Sequence, residues 1–463
     1  MRAAHTVDQV RTAEAALMAQ LPPGALMQRA ARGLADACLA LLGSGYGARV
    51  LLLVGGGDNG GDALFAGAQL AVRGCRVEAV LLAGDRTHPA GRAEYHRAGG
   101  RVVEAPGWQR ADLVVDAVVG IGGKPGLRAP AAELVRRARS DRIPVLAVDL
   151  PSGVDVDSGE TPEEHVRADV TVTFGTHKVA LLVDPAATAA GAVHMVDIGL
   201  GPLLPPAAVE ALQAADVADL VQVPDHNAQK YLRGVVGVRA GSRAYTGAAL
   251  LCVSGALSGC AGMVRYVGGA EDLVRAHHPE VVVGDGQVQA WVVGSGSGDS
   301  AADALEQAIG SGTPMVVDAD GLAQLPPRLD QPALLTPHAG ELGRMLDVPR
   351  ADIEARPLHF AREAARRFGA VVLLKGARAL VATPAGRVRV NTTGVPWLAT
   401  AGAGDVLSGL CGSLLATGLD PFDAGSVGAW LHGAAATMAS GGGPITASDV
   451  AGAVPRVIAA LRP

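Results

Sequence analysis

The chemistry-bearing residues of this chain gather in glycine-rich turns. The sharpest of these runs Asn391-Thr-Thr-Gly-Val-Pro-Trp-Leu-Ala-Thr-Ala-Gly402-Ala-Gly404-Asp405-Val-Leu-Ser-Gly409. Its glycines open onto Val406–Leu415, whose apolar spacing is that of a helix start. A helix N-terminus carries unpaired N–H groups and the positive end of the helix dipole, so a turn without side chains there can receive phosphate oxygens closely. Asp405 falls in the same first turn. A carboxylate beside an anion site makes chemical sense if it deprotonates a hydroxyl that attacks a terminal phosphoryl group. Taken alone, the segment also reads as an ordinary glycine turn with a helix-capping Asp.

A second cradle lies early in the chain. Val50–Val54 runs into Gly55-Gly-Gly-Asp58-Asn59-Gly60-Gly61-Asp62, ahead of a helix over Asp62–Arg73. Strand, glycine turn and helix in that order suit a phosphate or pyrophosphate, because missing side chains let a ligand reach backbone N–H groups. The two Asp and one Asn depart from a dinucleotide fingerprint, and no Gly-Lys-Ser/Thr follows. Two more expected strand ends carry polar groups: Asp116 ahead of Gly120-Ile121-Gly122-Gly123-Lys124-Pro125-Gly126, and Asp149-Leu-Pro-Ser152-Gly153. Strand ends of an open α/β sheet converge on one crevice, so Asn59, Asp116, Asp149 and Ser152 are expected to meet. Oxygen-only donors of this kind suit a hard cation and not zinc. Individually, each of these residues also reads as a cap or turn residue.

In the second half four further segments stand at expected strand ends: Gly241–Ala248, Val293–Gly298, Thr336–Glu341 and Leu374–Arg378. His338 precedes Glu341 by three residues, the spacing of a capping box. Lys375, followed by Gly376, suits contact with phosphate or ribose. The tandem His277-His278 reads as a solvated turn.

These turns need a frame, and alternating apolar strands and amphipathic helices supply one. The first half offers strands at Val50–Val54, Val77–Leu82, Leu113–Val119, Val145–Asp149, Val170–Phe174 and Ala192–Val196. The second offers Val235–Ala240, a helix over Ala248–Val264, then strands from Val281–Val283 to Leu380–Thr383 and closing helices. Such alternation implies parallel strands with crossover helices. At 463 residues the chain exceeds one ordinary core. We read two different α/β domains, 1–205 and 225–463, joined by a linker over 206–224. The net charge of −6, without a basic tract, argues against a nucleic-acid or anionic-membrane partner. Five scattered cysteines without a C-x-x-C pair suit a reducing cytoplasm, and Met1–Ala19 is too charged for a signal peptide or membrane span.

Here the resemblance becomes specific. The stretches 55–62, 116–122 and 149–155, with Leu26-Met27 and Ala30 upstream, resemble the NAD(P)HX epimerase family, which equilibrates the R and S hydrates of NADH and NADPH. The resemblance implies a Rossmann-like three-layer domain, potassium on Asn59, Asp116 and Ser152, and a hydrate pocket of Asp58–Asp62, Gly120–Gly126 and Asp149, with Asp116 catalytic. Lys230-Tyr-Leu-Arg-Gly, Val317–Leu322, Thr336–Glu341, Leu373–Gly376 and Asn391–Gly409 are similar to the ADP-dependent NAD(P)HX dehydratase family, a branch of the ribokinase-like fold. That likeness covers nearly all of residues 225–463. It implies ADP as phosphoryl donor with Mg2+, Asp405 as catalytic carboxylate, hydrate contacts from Ala248, Gly296 and His338, and a nucleotide site of Lys375, Gly376, Ala377, Arg378, Ala379 and Gly404. The substrates implied are NADHX and NADPHX, in a cytoplasmic homo-oligomer. Departures are Asp58 where the epimerases usually have Asn, the Gly122–Gly126 loop, and Gln229 where a His is usual. Two alternatives stand beside this reading: a ribokinase-type small-molecule kinase with an inactive first domain, and a nucleotide-binding sensor.

Overall fold

The computed structural model describes residues 1–104 and 111–462. The chain divides into two compact units, Ala3–Val209 and Glu210 onward with Met1–Arg2. The segment expected as a linker, 206–224, is structured: it carries a strand, Val209–Ala211, and a helix, Ala214–Leu220. Among the described residues no helix is long and apolar enough to cross a membrane.

In the first unit, seven strands of the described residues form a wholly parallel sheet. Its order is Arg101–Val102, Arg76–Leu81, Arg49–Val54, Leu113–Ala117, Val145–Val148, Val170–Phe174, Ala192–Val196. Alternate residues of each central strand serve opposite faces, as the period of two requires. Val50, Leu52 and Val54 pack with Leu34, Leu64 and Leu70 of two helices, Ala25–Leu42 and Gly57–Val72. Leu51 and Leu53 pack with Val135 and Ala138 of the helix Ala131–Ser140 on the other face. Three layers result. The chain leaves Arg49–Val54 toward one edge and returns to Leu113–Ala117 on its other side, so the switch point of the topology lies between these two strands. The two chains stay in close contact just past the strand ends, where a Cβ on Gly55 would stand 1.9 Å from the Val118 carbonyl oxygen and Gly55 N–H still donates to Ala117 O at 2.9 Å.

The second unit has a sheet ordered Val282–Val283, Met263–Tyr266, Val235–Arg239, Ala290–Val293, Met315–Val317, Ala333–Leu335, Val371–Leu374, Leu380–Ala382, Val388–Val390, Val209–Ala211. It is parallel through Val371–Leu374, then turns antiparallel through Leu380–Ala382 to Val388–Val390. One core joins its strands to the helices Thr246–Ser258, Ala403–Ala416, Pro421–Ser440 and Ala447–Ala460. Two of these helices touch through glycine. A Cβ on Gly409 would meet the Cys252 carbonyl oxygen at 1.9 Å, and one on Gly255 the Val406 oxygen at 2.1 Å.

Several strand ends shift by one or two residues, and two element boundaries differ from expectation by more. Asp58–Asp62 lie inside a helix that already starts at Gly57, whose positive φ of 76° makes the turn, so the glycine stretch is the helix's first turn and not a loop before it. The expected helix over Ala248–Val264 ends at Ser258, and Val264 sits in the strand Met263–Tyr266, so Cys260 lies beyond the helix that holds Cys252. The apolar run continued across the break, and only Gly259 and Gly262 marked it.

Candidate functional sites

In the first unit the polar residues gather beyond the strand ends at the switch point. Asp116, fully buried, accepts from Ser152 N–H at 2.8 Å and Ser152 Oγ at 2.7 Å, and from Val118 N–H at 3.3 Å. Ser152 Oγ in turn receives Val119 N–H at 2.9 Å and lies 3.2 Å from its carbonyl oxygen. Burial pushes the Asp116 carboxyl up to about 6, with the Ser152 and Val118 hydrogen bonds opposing it. Asn59 packs against Gly120, where an added Cβ would be 3.1 Å from its amide carbon and oxygen. Its Nδ2 is buried without a partner. The structure thus brings Asn59, Asp116, Ser152 and Gly120 together.

Asp149 stands nearby with φ at +65°, a left-handed conformation that costs an Asp about 1 kcal/mol or more. Its carboxylate is held by Lys178 Nζ at 2.5 Å and Thr173 Oγ at 3.0 Å. Lys178 is 1% exposed and also donates to Thr173 Oγ and Phe174 O, so all three of its protons are used. Sequence reasoning missed this lysine. The only signal was a Lys inside an otherwise apolar run after a strand. The Gly120–Gly126 loop closes with Gly123 N–H to Gly120 O and Gly126 N–H to Gly153 O, and Lys124 and Gly122 are exposed.

Asp58 and Asp62 face a cavity of about 660 Å3, lined also by Glu14, Phe65, His88 and Phe174. Burial first, then the charges of Asp149, Asp58 and Glu14, drives the Asp62 carboxyl well above the usual range. Burial raises Glu14 as well, against the opposing charge of Lys178.

In the second unit four neighbouring strands deliver the site. Ser295, Asp318, His338 and Lys375 follow the ends of Ala290–Val293, Met315–Val317, Ala333–Leu335 and Val371–Leu374. The helix Ala403–Ala416 begins at the expected glycine turn, with Gly402 left-handed at φ 84° as its N-cap. Asp318, 1% exposed, accepts from Lys375 Nζ at 2.8 Å and from Ser408 Oγ at 2.6 Å, so the turn and the lysine are tied to one carboxylate. A Cβ on Gly404 would stand 3.3 Å from Lys375 Nζ. Burial opposes the Lys375 charge, yet Asp318 at 2.8 Å and Glu341 at 3.7 Å outweigh it and raise its pKa. Burial and the charge of Asp318 push Asp405 up to about 6, eased by Ser295 and Lys375.

His338 forms the expected capping box. Its Nδ1 accepts Glu341 N–H at 3.1 Å, while Glu341 Oε2 accepts His338 N–H at 2.8 Å. An Nδ1 that accepts puts a proton on Nε2, which lies 3.4 Å from Glu341 Oε1, with the His338 ring half-exposed. Gly296, at φ 59°, lies against Ala248, where an added Cβ would come within 2.6 Å of the Ala248 Cβ. In the 375–379 turn Gly376 and Ala377 are exposed and Ala379 is buried. Asp318, Ser408 and Ser295 were not singled out from sequence. Neither was His432, a buried ring pushed down to about 4 by burial, bonded to the backbone of Ala403, with Nε2 unpartnered among the described residues. His278 is not a solvated turn residue: it is half-buried, with Nε2 3.2 Å from Ser254 Oγ.

Comparison with known proteins adds a name to each unit. A family model described as NAD(P)H-hydrate dehydratase matches residues 236–450, and one described as YjeF-related protein N-terminus matches residues 23–180. The chain is 44% identical to the bifunctional NAD(P)H-hydrate repair enzyme Nnr of Mycobacterium leprae, with 100% of each chain covered. It is 46% identical to the enzyme of that description from Mycobacterium tuberculosis, over 90% of each. Among solved structures, the ADP/ATP-dependent NAD(P)H-hydrate dehydratase of Bacillus subtilis, co-crystallised with ATP and Mg2+, aligns at 27% identity and TM-score 0.52. The alignment covers 55% of this chain and 99% of that one. A ribokinase-like superfamily protein from Enterococcus faecalis, at 21% identity and TM-score 0.50, covering 55% and 96%, shares the fold.

Proposed function

The chain belongs to the bifunctional NAD(P)H-hydrate repair enzymes, and on that premise we propose how its two units divide the work. It is an NAD(P)H-hydrate epimerase and a nucleotide-dependent NAD(P)H-hydrate dehydratase in one polypeptide. The first unit interconverts the R and S hydrates. The second returns the S hydrate to NAD(P)H, with ADP as donor. Fusion suits the chemistry, because a stereospecific dehydratase leaves one epimer behind unless something inverts it.

The dehydratase reading rests on one observation: Lys375 Nζ beside Gly404, with Asp405 raised to about 6 in the same turn. Backbone N–H groups and a lysine would hold the terminal phosphoryl group. Asp405, ionised near neutral pH, would accept the proton of the hydrate's hydroxyl as its oxygen attacks the terminal phosphorus of ADP, whose bridging P–O bond breaks to release AMP. The phosphate ester then leaves as phosphate, taking the C–O electron pair, as a neighbouring ring C–H proton passes to water and its electron pair forms the restored double bond. His338, fixed as an Nε2 donor, and the Gly296–Ala248 contact would orient the hydrate, and residues 375–379 the nucleotide. No group of three His, Cys, Asp or Glu suited to a metal occurs among the described residues. Magnesium therefore fits best as an ion carried in on the nucleotide's phosphates, whose charge it offsets.

In the first unit the donor set suits potassium. Ser152 Oγ, the Val119 carbonyl and the Asp116 carboxylate are oxygens within one network, and the orphaned amide of Asn59 adds another oxygen if the amide is turned about. The ion would supply fixed positive charge beside the hydrate's pyrophosphate. Asp58–Asp62, Gly120–Gly126 and Asp149 would line the hydrate pocket.

The test is direct. Chemically prepared hydrate with ADP should regain reduced-nicotinamide absorbance until both epimers are consumed. A stable phosphorylated product, or no nucleotide turnover, would overturn the reading in favour of a kinase or a sensor.

A further inference from the structure

We propose that Asp62 and Glu14 are the acid and base of epimer exchange, sharing one proton across the cavity and passing it to and from the hydrate's hydroxyl. The inversion then runs by loss and return of that hydroxyl. The proposal rests on the epimerase reading above and gives that reading a mechanism.

The substrate's own chemistry sets the requirement. Water adds to an enamine with its oxygen on the carbon bonded to nitrogen, because the nitrogen lone pair stabilises positive charge there. The same lone pair can expel the oxygen again if a proton reaches it. In the forward stroke the Asp62 O–H proton goes to the hydroxyl oxygen and the C–O bond breaks with its electron pair. Water departs, and nitrogen and carbon form a planar iminium. Water then adds to the opposite face as nitrogen recovers its lone pair, and the surplus proton passes to the Glu14 carboxylate. Nothing is oxidised or reduced. One proton has moved from Asp62 to Glu14, and the reverse inversion moves it back, as microscopic reversibility demands.

The structure meets each requirement. Asp62, on the helix Gly57–Val72, is 8% exposed and makes no hydrogen bond or ion pair with any described residue, yet it lines the 660 Å3 cavity. Glu14, on the helix Val7–Met18, lines the same cavity from a second element and is likewise unpaired. A buried carboxyl without partners is costly unless it is neutral or has a ligand. The groups that act on the pair are Asp58, Asp149, Lys178 and Arg11, and His88 shares the cavity wall. Asp149 is already engaged by Lys178 and Thr173, which leaves Asp62 and Glu14 as the unengaged carboxyls. Burial raises both Asp62 and Glu14; Asp149 adds to this, and Lys178 opposes it, at Glu14 by more than Asp149 adds.

The experiment uses the full chain without nucleotide, each epimer separately, in H2 18O, followed by proton NMR and mass spectrometry. Wild type should take up solvent oxygen with each inversion. Asp62→Asn and Glu14→Gln should each slow inversion about 100-fold or more, with KM little changed and nucleotide-dependent dehydration of the S hydrate intact as a check on folding. Inversion without label uptake would overturn the proposal, as would either variant retaining more than a tenth of the wild-type rate. A wild-type chain that cannot invert the hydrate sinks the epimerase reading itself.

Discussion

The two units use one device with opposite charge. Each starts a helix on glycine beyond the carboxyl ends of parallel strands, at Gly57 in the first and Gly402 in the second. Each sets a lysine against a buried aspartate. Lys178 spends all three protons inside the protein, on Asp149, Thr173 and Phe174. Among the described residues Lys375 makes one hydrogen bond, to Asp318, lies 3.7 Å from Glu341, and is 20% exposed beside Gly404. On the proposed function the second turn would offer charge to a phosphate, whereas the first faces a cavity walled by Asp58, Asp62 and Glu14. Topology provides the place in both cases, and on the proposals above a few side chains decide whether an anion or a proton is handled there.

The sharpest way to break this comparison is to disable one site at a time. Asp405→Ala should lower dehydration about 10^3-fold or more while R/S exchange continues, and Asp116→Ala should do the reverse. Absorbance recovery and NMR of the epimers read the two activities separately, and joint loss in both variants would reject independent sites. Next come the lysines. Lys375→Met and Lys178→Met each leave a buried carboxylate unpaired, at about 3–5 kcal/mol of the affected unit's stability by chemical denaturation. Titration calorimetry should find nucleotide binding weakened only by the first.

The pH profile sharpens the contrast further. On the proposed mechanism Asp405 acts ionised, and burial pushes its pKa up to about 6. Dehydration kcat/KM should be level above about pH 7 and fall about tenfold per unit well below pH 6 as the carboxylate is protonated. The Asp405→Asn variant should lose that limb, and epimer exchange should keep its own profile. The smallest effect is structural. His338→Ala removes a helix cap worth about 1 kcal/mol and a hydrate donor, so a modest fall in thermal stability should accompany a raised KM for the hydrate.

Much of this was legible in the residues. The glycine turns, the strand ends carrying Asp116, Asp149 and Lys375, and the His338–Glu341 box all depend on short-range patterns that a one-dimensional reading detects. What escaped notice depends on separation in sequence. Asp318 meets Ser408 from 90 residues away and Lys375 from 57, and nothing local marks Ser408 as their partner. Glu14 is one charged residue on an amphipathic helix, indistinguishable by pattern from a solvated one. Lys178 looked like an interruption of an apolar run.

By itself, then, the sequence determined the two α/β units, the glycine-opened helices and the residue types available at the strand ends, because periodicity, turn chemistry and capping act over a few residues. Tertiary structure alone decided which carboxylates are paired and which stand free, and so which lysine is spent and which is exposed to a ligand. Desolvation and Coulomb coupling depend on distance in space, and no spacing along the chain encodes that distance.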